Sequence, residues 1–467
     1  MATLAFHGAT RQVTGSCYLL ETAHSRVLLE CGLFQGPPEV DRLNERPFPF
    51  QPRDIDAVVL SHAHLDHSGL LPRLQREGFD GKVYATTQAL ELLDIMLKDA
   101  AHIQEKDAEW ENRRRERAGK ELIAPLYTLQ DAEAVLTLGE PLVYGLRTRI
   151  TQDIEICLRD AGHILGSAIV ELWVDDSGLQ KKIVFSGDLG NAATPLLRDP
   201  EIVRTADVLL LESTYGDRDH RPLPETLKEF AGILAQAQHD GGNVLIPAFA
   251  IGRTQELIYH LGEFYHAGQL PQTKVYLDSP MAIAATEVHQ RHMQVFSREA
   301  RNAIRENGGN AKEFLPPLHY VRTVEESMSL NRITAGAIII AGSGMCSGGR
   351  IRHHLKWNLW REAVHVVIVG FQAQGTTGRA LVDGAQRLRL LGEDIVVRAH
   401  IHTLGGFSAH AGQSDLVKWA GHFQPHPQLY LVHGELDKMQ ALQARIKDVH
   451  GWEAQIPVEG QVIQLWK

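Results

Sequence analysis

Short apolar runs broken by glycine and charge dominate the first 60 residues. TLAFHGAT, SCYLLET and SRVLLECG read as extended strands separated by turns. The run DAVVL predicts another strand, and SGLLPRLQREG after it a helix. Residues 88–121 change to helical spacing, and the charged stretch EKDAEWENRRRERAGKEL is the solvated face of that helix. Strands are predicted again in DIEICLRDAGHILGSAIVELWV, KKIVFSGDLG and ADVLLLESTYG. From about residue 217 the pattern alters. NVLIPAF leads into GRTQELIYHLGEF, in which Leu257, Ile258, Leu261 and Phe264 share a helical face. KVYLDSP, AIIIAGSGM and HVVIVGFQ are apolar strands that end in Gly, Ser or Pro before helix-like stretches, the mark of βα units around a mostly parallel sheet. After about residue 402 short strands return, notably QLYLVHGE. The pattern is α/β throughout. It fits one domain with a second inserted in it, and equally three domains in a row.

The length of 467 residues exceeds one ordinary core and agrees with more than one domain. Hydrophobic residues at 44% and charged residues at 22% describe a soluble protein. No apolar stretch reaches the roughly 18 residues of a membrane span, and MATLAFHGATRQ lacks the features of a signal peptide. A cytoplasmic location without membrane partners is expected. Cys17, Cys31, Cys157 and Cys346 are far apart and fit buried thiols better than a disulfide framework or a zinc ribbon. A net charge of -10 excludes nucleic-acid binding over the whole surface, so such a partner would need a local basic groove or a metal.

Histidine changes the picture. There are 24, and SHAHLDHSG places His62, His64, Asp66 and His67 in one strand-to-helix turn. Imidazole and carboxylate are zinc's ligands, and a core feature would need a buried partner for each of these groups. Four side chains cannot close two metal shells. His163 in DAGHILGSA, Asp188 in VFSGDLGN and His433 in LYLVHGE each end a strand beside small residues. Taken singly, each reads as well as a structural histidine or a turn-forming aspartate.

HAHLDH followed by these three segments resembles the metallo-β-lactamase fold. ESTYG with Glu212, FSAHAG with His410 and LVHGE with His433 look like the extra motifs of its β-CASP branch of RNA-processing nucleases, such as the pre-mRNA cleavage and polyadenylation endonuclease subunit. The inserted PAFAIGRTQEL, SGMCSGGR and GFQAQGTTGR match as well. The resemblance implies an αββα sandwich over residues 1–216 and 403–467, with a β-CASP domain over 217–402. It further implies two zinc ions per chain. His62, His64 and His163 would hold one, Asp66, His67 and His433 the other, and Asp188 would bridge them. A bridging hydroxide would cleave RNA, expected to be single-stranded, and leave 5′-phosphate and 3′-hydroxyl ends. Endonuclease action is favoured, with 5′-exonuclease action as the variant.

Asp66, Glu212 and His410 are the implied catalytic residues, His410 as general acid oriented by Glu212. A carboxylate beside imidazole holds one tautomer and raises its pKa, which suits that role. Glu30, in VLLECGLFQG, stands where the family typically has Asp, and is expected to support the histidine loop rather than bind metal. Ser343, Gly344 and Met345 after a buried strand suggest an anion nest. Arg253 and Arg379, read as lying beyond strand ends, are candidate phosphate ligands. A thioester or lactone hydrolase on the same fold would leave the insertion, Glu212 and His410 without a role. A non-catalytic RNA-binding subunit would have lost metal ligands. A flavodiiron oxidoreductase would want Glu in place of His64. The chain ends soon after LVHGE, from which a compact two-domain nuclease is expected; the oligomeric state stays open, a homodimer included.

Overall fold

In the computed structural model, which describes residues 2–176, 178–192 and 194–466, the chain divides into two units. The first comprises residues 1–193, 199–219 and 410–467, and the second residues 194–198 and 220–409.

The first unit contains two seven-stranded sheets among the described residues. One runs in the order Val462–Gln464, Thr3–Phe6, Tyr18–Glu21, Arg26–Leu29, Ala57–Val59, Lys82–Thr86, Gly139–Leu142. The other runs Ala454–Gln455, Gln428–Val432, Val208–Glu212, Leu179–Phe185, Ala168–Asp176, Ile154–Asp160, Thr148–Arg149. Side chains alternate across a strand, and this alternation feeds two cores. Val208, Leu210, Tyr430 and Val432 join Ile156, Leu158, Val170, Leu172, Phe6 and Tyr18 in one core shared by both sheets. Leu209, Leu211, Leu429 and Leu431 face the other way, packing with Leu416, Trp419, Met439 and Leu442 of the helices Gln413–Ala420 and Leu436–His450. A strand buried on both faces must be apolar at every position, which is why VLLL and LYLV are unbroken runs. Each fully buried aliphatic side chain contributes about 1.5–3 kcal/mol. The long helix Thr87–Arg117 starts at Thr86, whose hydroxyl accepts from the Ala89 amide, and ends in a charged, exposed stretch.

The second unit is built on a parallel six-stranded sheet, ordered Leu318–Tyr320, Lys274–Asp278, Ala337–Ala341, Val244–Pro247, His365–Ile368, His400–Thr403. Leu257, Ile258, Leu261 and Phe264 of the helix Arg253–His266 pack on Val244, Ile246, Ile338 and Ile340 of this sheet, as their spacing predicts. Among the described residues no helix is long and apolar enough to cross a membrane.

Candidate metal centre and general acid

Most sequence candidates of the first unit converge because they stand at or just past the carboxyl end of a strand. Arg26–Leu29 and Ala57–Val59 run parallel, and they deliver Glu30 and the histidine loop. In the other sheet, Leu179–Phe185, Val208–Glu212 and Gln428–Val432 are mutually parallel. Ile154–Asp160 points the same way, because two antiparallel pairings separate it from Leu179–Phe185. These strands deliver Asp188, Glu212, His433 and His163 respectively.

The histidine loop is held by its own backbone. Leu65–Ser68 forms one helical turn, and Ser68 Oγ donates to the Ala63 and His64 carbonyls at 3.0 and 2.9 Å. The carbonyls of Leu65, Asp66 and His67 accept from the amides of Leu33, Ser16 and Cys31 at 2.7, 2.9 and 2.8 Å. Glycine is required where these loops touch. A Cβ on Gly32 would stand 1.8 Å from the Asp66 carbonyl oxygen, and one on Gly190 would stand 2.1 Å from that of Gly162, next to His163.

The donor atoms face inward in two groups, one of His62, His64, His163 and Asp188, the other of Asp66, His67 and His433. In the first, His64 Nδ1 lies 3.1 Å from His62 Nε2 and 3.3 Å from His163 Nε2. Asp188 Oδ2 lies 3.5 and 3.6 Å from those two Nε2 atoms. In the second, His433 Nε2 is 3.1 Å from His67 Nε2 and 3.4 Å from Asp66 Oδ2. The same Asp188 Oδ2 is 3.4 Å from His67 Nε2, and Asp188 Oδ1 is 3.4 Å from His433 Nδ1. Two ligands each 2.0–2.1 Å from a tetrahedral zinc stand about 3.3 Å apart. The spacings are those of metal-ligand edges, and the donor set is one zinc prefers. The residues fit the metal.

Hydroxyls flank two of the imidazoles: Ser61 Oγ lies 2.9 Å from His62 Nδ1 and Thr214 Oγ1 lies 3.1 Å from His433 Nδ1, while the Nε2 atoms of both rings face the cluster. Glu30 is fully buried with φ +65°. Its Oε1 accepts from the Ser61 amide at 2.7 Å, and its Oε2 stands 3.7 Å from His67 Nδ1. Burial pushes the Glu30 carboxyl up to about 7, against the opposing pull of His67 and Ser61. Burial also lowers His62 and His64. It disfavours an ionised Asp188 too, yet His433, His67 and His62 hold that carboxyl well below the usual range. Burial lowers His67, but Asp188 and Asp66 outweigh it and raise the imidazole to about 10. The carboxylates therefore demand positive charge at this cluster, which a divalent cation satisfies.

Glu212 and His410 lie beside it. Glu212 is fully buried; its Oε1 accepts from the Leu189 amide at 2.7 Å, and His410 Nδ1 lies 3.4 Å from the same oxygen. The His410 side chain is 22% exposed, with its ring 4.4 Å from that of His163 and a bridge to Gly190 fixing its backbone. Burial would lower its pKa, but Glu212 and Asp188 raise it to about 9.

The remaining candidates belong to the second unit. Ser343 Oγ accepts from the Gly348 amide at 3.1 Å, and the Ser343 amide donates to the Gly348 carbonyl at 3.3 Å, which closes a tight loop after Ala337–Ala341. Gly344 packs against Phe249, 2.9 Å from the place of a Cβ, and its carbonyl accepts from Gln372 at 3.0 Å. Arg253 opens a helix, is buried, and donates to Glu256. Arg379 lies within the helix Thr377–Val382 and pairs with Asp383 at 2.9 Å. Sequence reasoning missed Ser61, Thr214 and Gly190. Each neighbours a motif residue in the chain, which is the signal available for finding them.

A fold of this kind with such a donor set defines a metal-dependent hydrolase. Family models match three segments: the metallo-beta-lactamase superfamily at residues 10–158, the Beta-Casp domain at 254–381, and the Zn-dependent metallo-hydrolase RNA specificity domain at 394–457. Among curated relatives, Ribonuclease TTHA0252 of Thermus thermophilus is 42% identical over 93% of this chain and 94% of its own. Transcription termination factor FttA of Methanococcus maripaludis is 34% identical over 99% of this chain and 71% of its own. A solved structure of a protein of unknown function from Enterococcus faecalis V583 matches with a TM-score of 0.57 at 14% identity, over 99% of both chains, and shows the shared fold. The chain belongs to the β-CASP family of the metallo-β-lactamase superfamily.

Proposed function

We propose that the protein is a cytoplasmic ribonuclease holding two zinc ions and cutting single-stranded RNA, endonucleolytically in the main, to leave 5′-phosphate and 3′-hydroxyl ends. The observation that carries this reading is the Glu212–His410 pair set beside two groups of metal donors. Ester and lactone hydrolysis needs the donors alone, whereas a phosphodiester also needs its leaving oxygen protonated.

His62, His64 and His163 would hold one zinc, Asp66, His67 and His433 the other, with Asp188 shared between them. When bound, the zinc ions supply a water acid enough to attack at neutral pH and positive charge opposite the phosphate. The residues do the rest. Asp66, with 21% of its side chain exposed, takes the water's proton. His410, its Nδ1 turned to Glu212, presents Nε2 to the leaving 3′-oxygen and protonates it as the P–O3′ bond breaks. Glu212, held by the Leu189 amide, fixes the imidazole's orientation and stabilises its charged form. Glu30 supports His67 from behind. The net charge of -10 leaves long-range attraction weak, so RNA affinity should be modest and sensitive to salt.

The test is RNA labelled at either end, with and without a 5′-triphosphate, incubated with and without chelator. Internal cuts that bear 5′-phosphates, ignore the triphosphate and vanish with chelator support the reading. Absence of cleavage together with turnover of a thioester overturns it.

A further inference from the structure

The second unit carries a histidine cluster with no part in the reading above. His365 opens the strand His365–Ile368 and is paired in register with His400 on the edge strand His400–Thr403. His402 lies two residues beyond His400, and side chains two apart in a strand share a face. The three rings accordingly gather, with centroids 4.7 Å apart for His365 and His400 and 5.1 Å for His365 and His402, the planes of the latter pair 2° apart. Asp240, which caps the carboxyl end of the helix Leu223–His239, brings Oδ2 to 3.1 Å from His365 Nε2.

We propose that Asp240, His365 and His400 form a second metal site, which takes zinc or a cation of similar preference such as cobalt or nickel. One atom from each of the three lies within 4.8 Å of the others, against about 3.3 Å for the ligands of a tetrahedral zinc. The Asp240–His365 edge, at 3.1 Å, already has that length. The Asp240 side chain is 25% exposed and His400 is exposed, so both can turn to close the remaining gap, while His365 is buried and fixed.

His402 prepares the site. Its Nε2 lies 2.9 Å from His365 Nδ1, so when a metal displaces the Nε2 proton that His365 shares with Asp240, His402 can accept the remaining Nδ1–H. Two imidazoles and one carboxylate are borderline ligands that select zinc, cobalt or nickel over magnesium or calcium. The bound ion would tie the end of the helix Leu223–His239 to the edge strand of the sheet. An edge strand is the part of a sheet most easily opened, so the site is a clip.

The test uses the full chain, stripped of metal and then titrated with zinc by equilibrium dialysis and elemental analysis. The wild type is compared with His400→Ala and Asp240→Asn, both changes to side chains partly or fully open to solvent, and with His319→Ala, an exposed histidine on the opposite edge strand, as control. The two site variants should each bind one equivalent fewer per chain than the wild type and the control. They should also lack the last zinc-dependent rise in melting temperature, with RNA cleavage retained. The difference is read whatever the catalytic donors hold, and whether or not RNA is cut. Equal zinc content in all four proteins overturns the proposal. So does an extra equivalent in the wild type that fills only at millimolar zinc, or one lost equally in His319→Ala.

Discussion

Replacing Glu30 by Gln separates two roles for this buried acid. If it were an ordinary strand-end carboxylate, its work would be the bond from the Ser61 amide at 2.7 Å, which a glutamine oxygen accepts equally well. If it supports the metal, what matters is the negative charge of Oε2 facing His67 Nδ1 at 3.7 Å, because that charge makes the far nitrogen a stronger donor to the cluster. Loss of such a support typically weakens metal binding about 10–100-fold, which is about 1.4–2.7 kcal/mol. Stability of the metal-free chain should move differently. The substitution keeps the shape and removes a negative charge from a site with no exposure, so the stripped variant should melt no lower than the stripped wild type. The assay is zinc competition against a chromophoric chelator, with melting curves of both proteins with and without metal. Zinc affinity equal to that of the wild type would refute the supporting role. A drop in the melting temperature of the metal-free chain would show that the carboxylate holds the fold instead.

Further expectations follow from the geometry of the two units. His410→Ala should reduce RNA cleavage by about 10²–10⁴-fold and leave zinc content unchanged; loss of zinc would show that His410 is a ligand. Gly190→Ala puts a methyl 2.1 Å from the Gly162 carbonyl, so the His163 loop must move; both cleavage and zinc retention should fall, and full retention of either would contradict the packing. Chelator should lower the melting temperature, since zinc at about a thousand times its Kd stabilises by roughly 4 kcal/mol; an unchanged melting curve would mean that the donors are not occupied. His289 is buried and donates to the Ala285 carbonyl, and burial lowers its pKa from the ordinary 6.5 of histidine to about 4. The unfolded chain takes up that proton first as pH falls, so stability present at pH 7 declines below about 6.5. Near pH 5 the loss is about 2 kcal/mol. Urea midpoints at the two pH values should differ less in His289→Gln than in the wild type, and parallel declines would refute the assignment.

The legible parts of the sequence were those in which chemistry or burial leaves a local trace. SHAHLDHSG announces metal because four ligand-type side chains crowd one turn, and VLLL or LYLV announce strands covered on both faces. His163, Asp188 and His433 announce nothing singly. Their meaning lies in the parallel pairing of strands far apart in the chain, and only the resemblance joined them. Arg253 and Arg379 have acidic partners at helical spacing that the sequence also shows: Glu256 stands three residues along the helix Arg253–His266, and Asp383, four residues past Arg379, caps the helix Thr377–Val382. The pairing of His365 with His400 was unreadable, because register between distant parallel strands leaves no local mark.

Every donor of the metal cluster, with Glu212 and His410, comes from the first unit, and the chain's long excursion from that unit leaves at Asp219 and returns at His410. Departure and return are stitched together, since Asp219 accepts from the Ser414 amide at 2.7 Å and from its hydroxyl at 2.6 Å. A segment whose two ends already meet can be exchanged, lengthened or excised with little loop entropy at stake. Evolution could thus have tried many insertions at this point while the hydrolytic chemistry stayed intact, so that substrate choice diversified independently of catalysis.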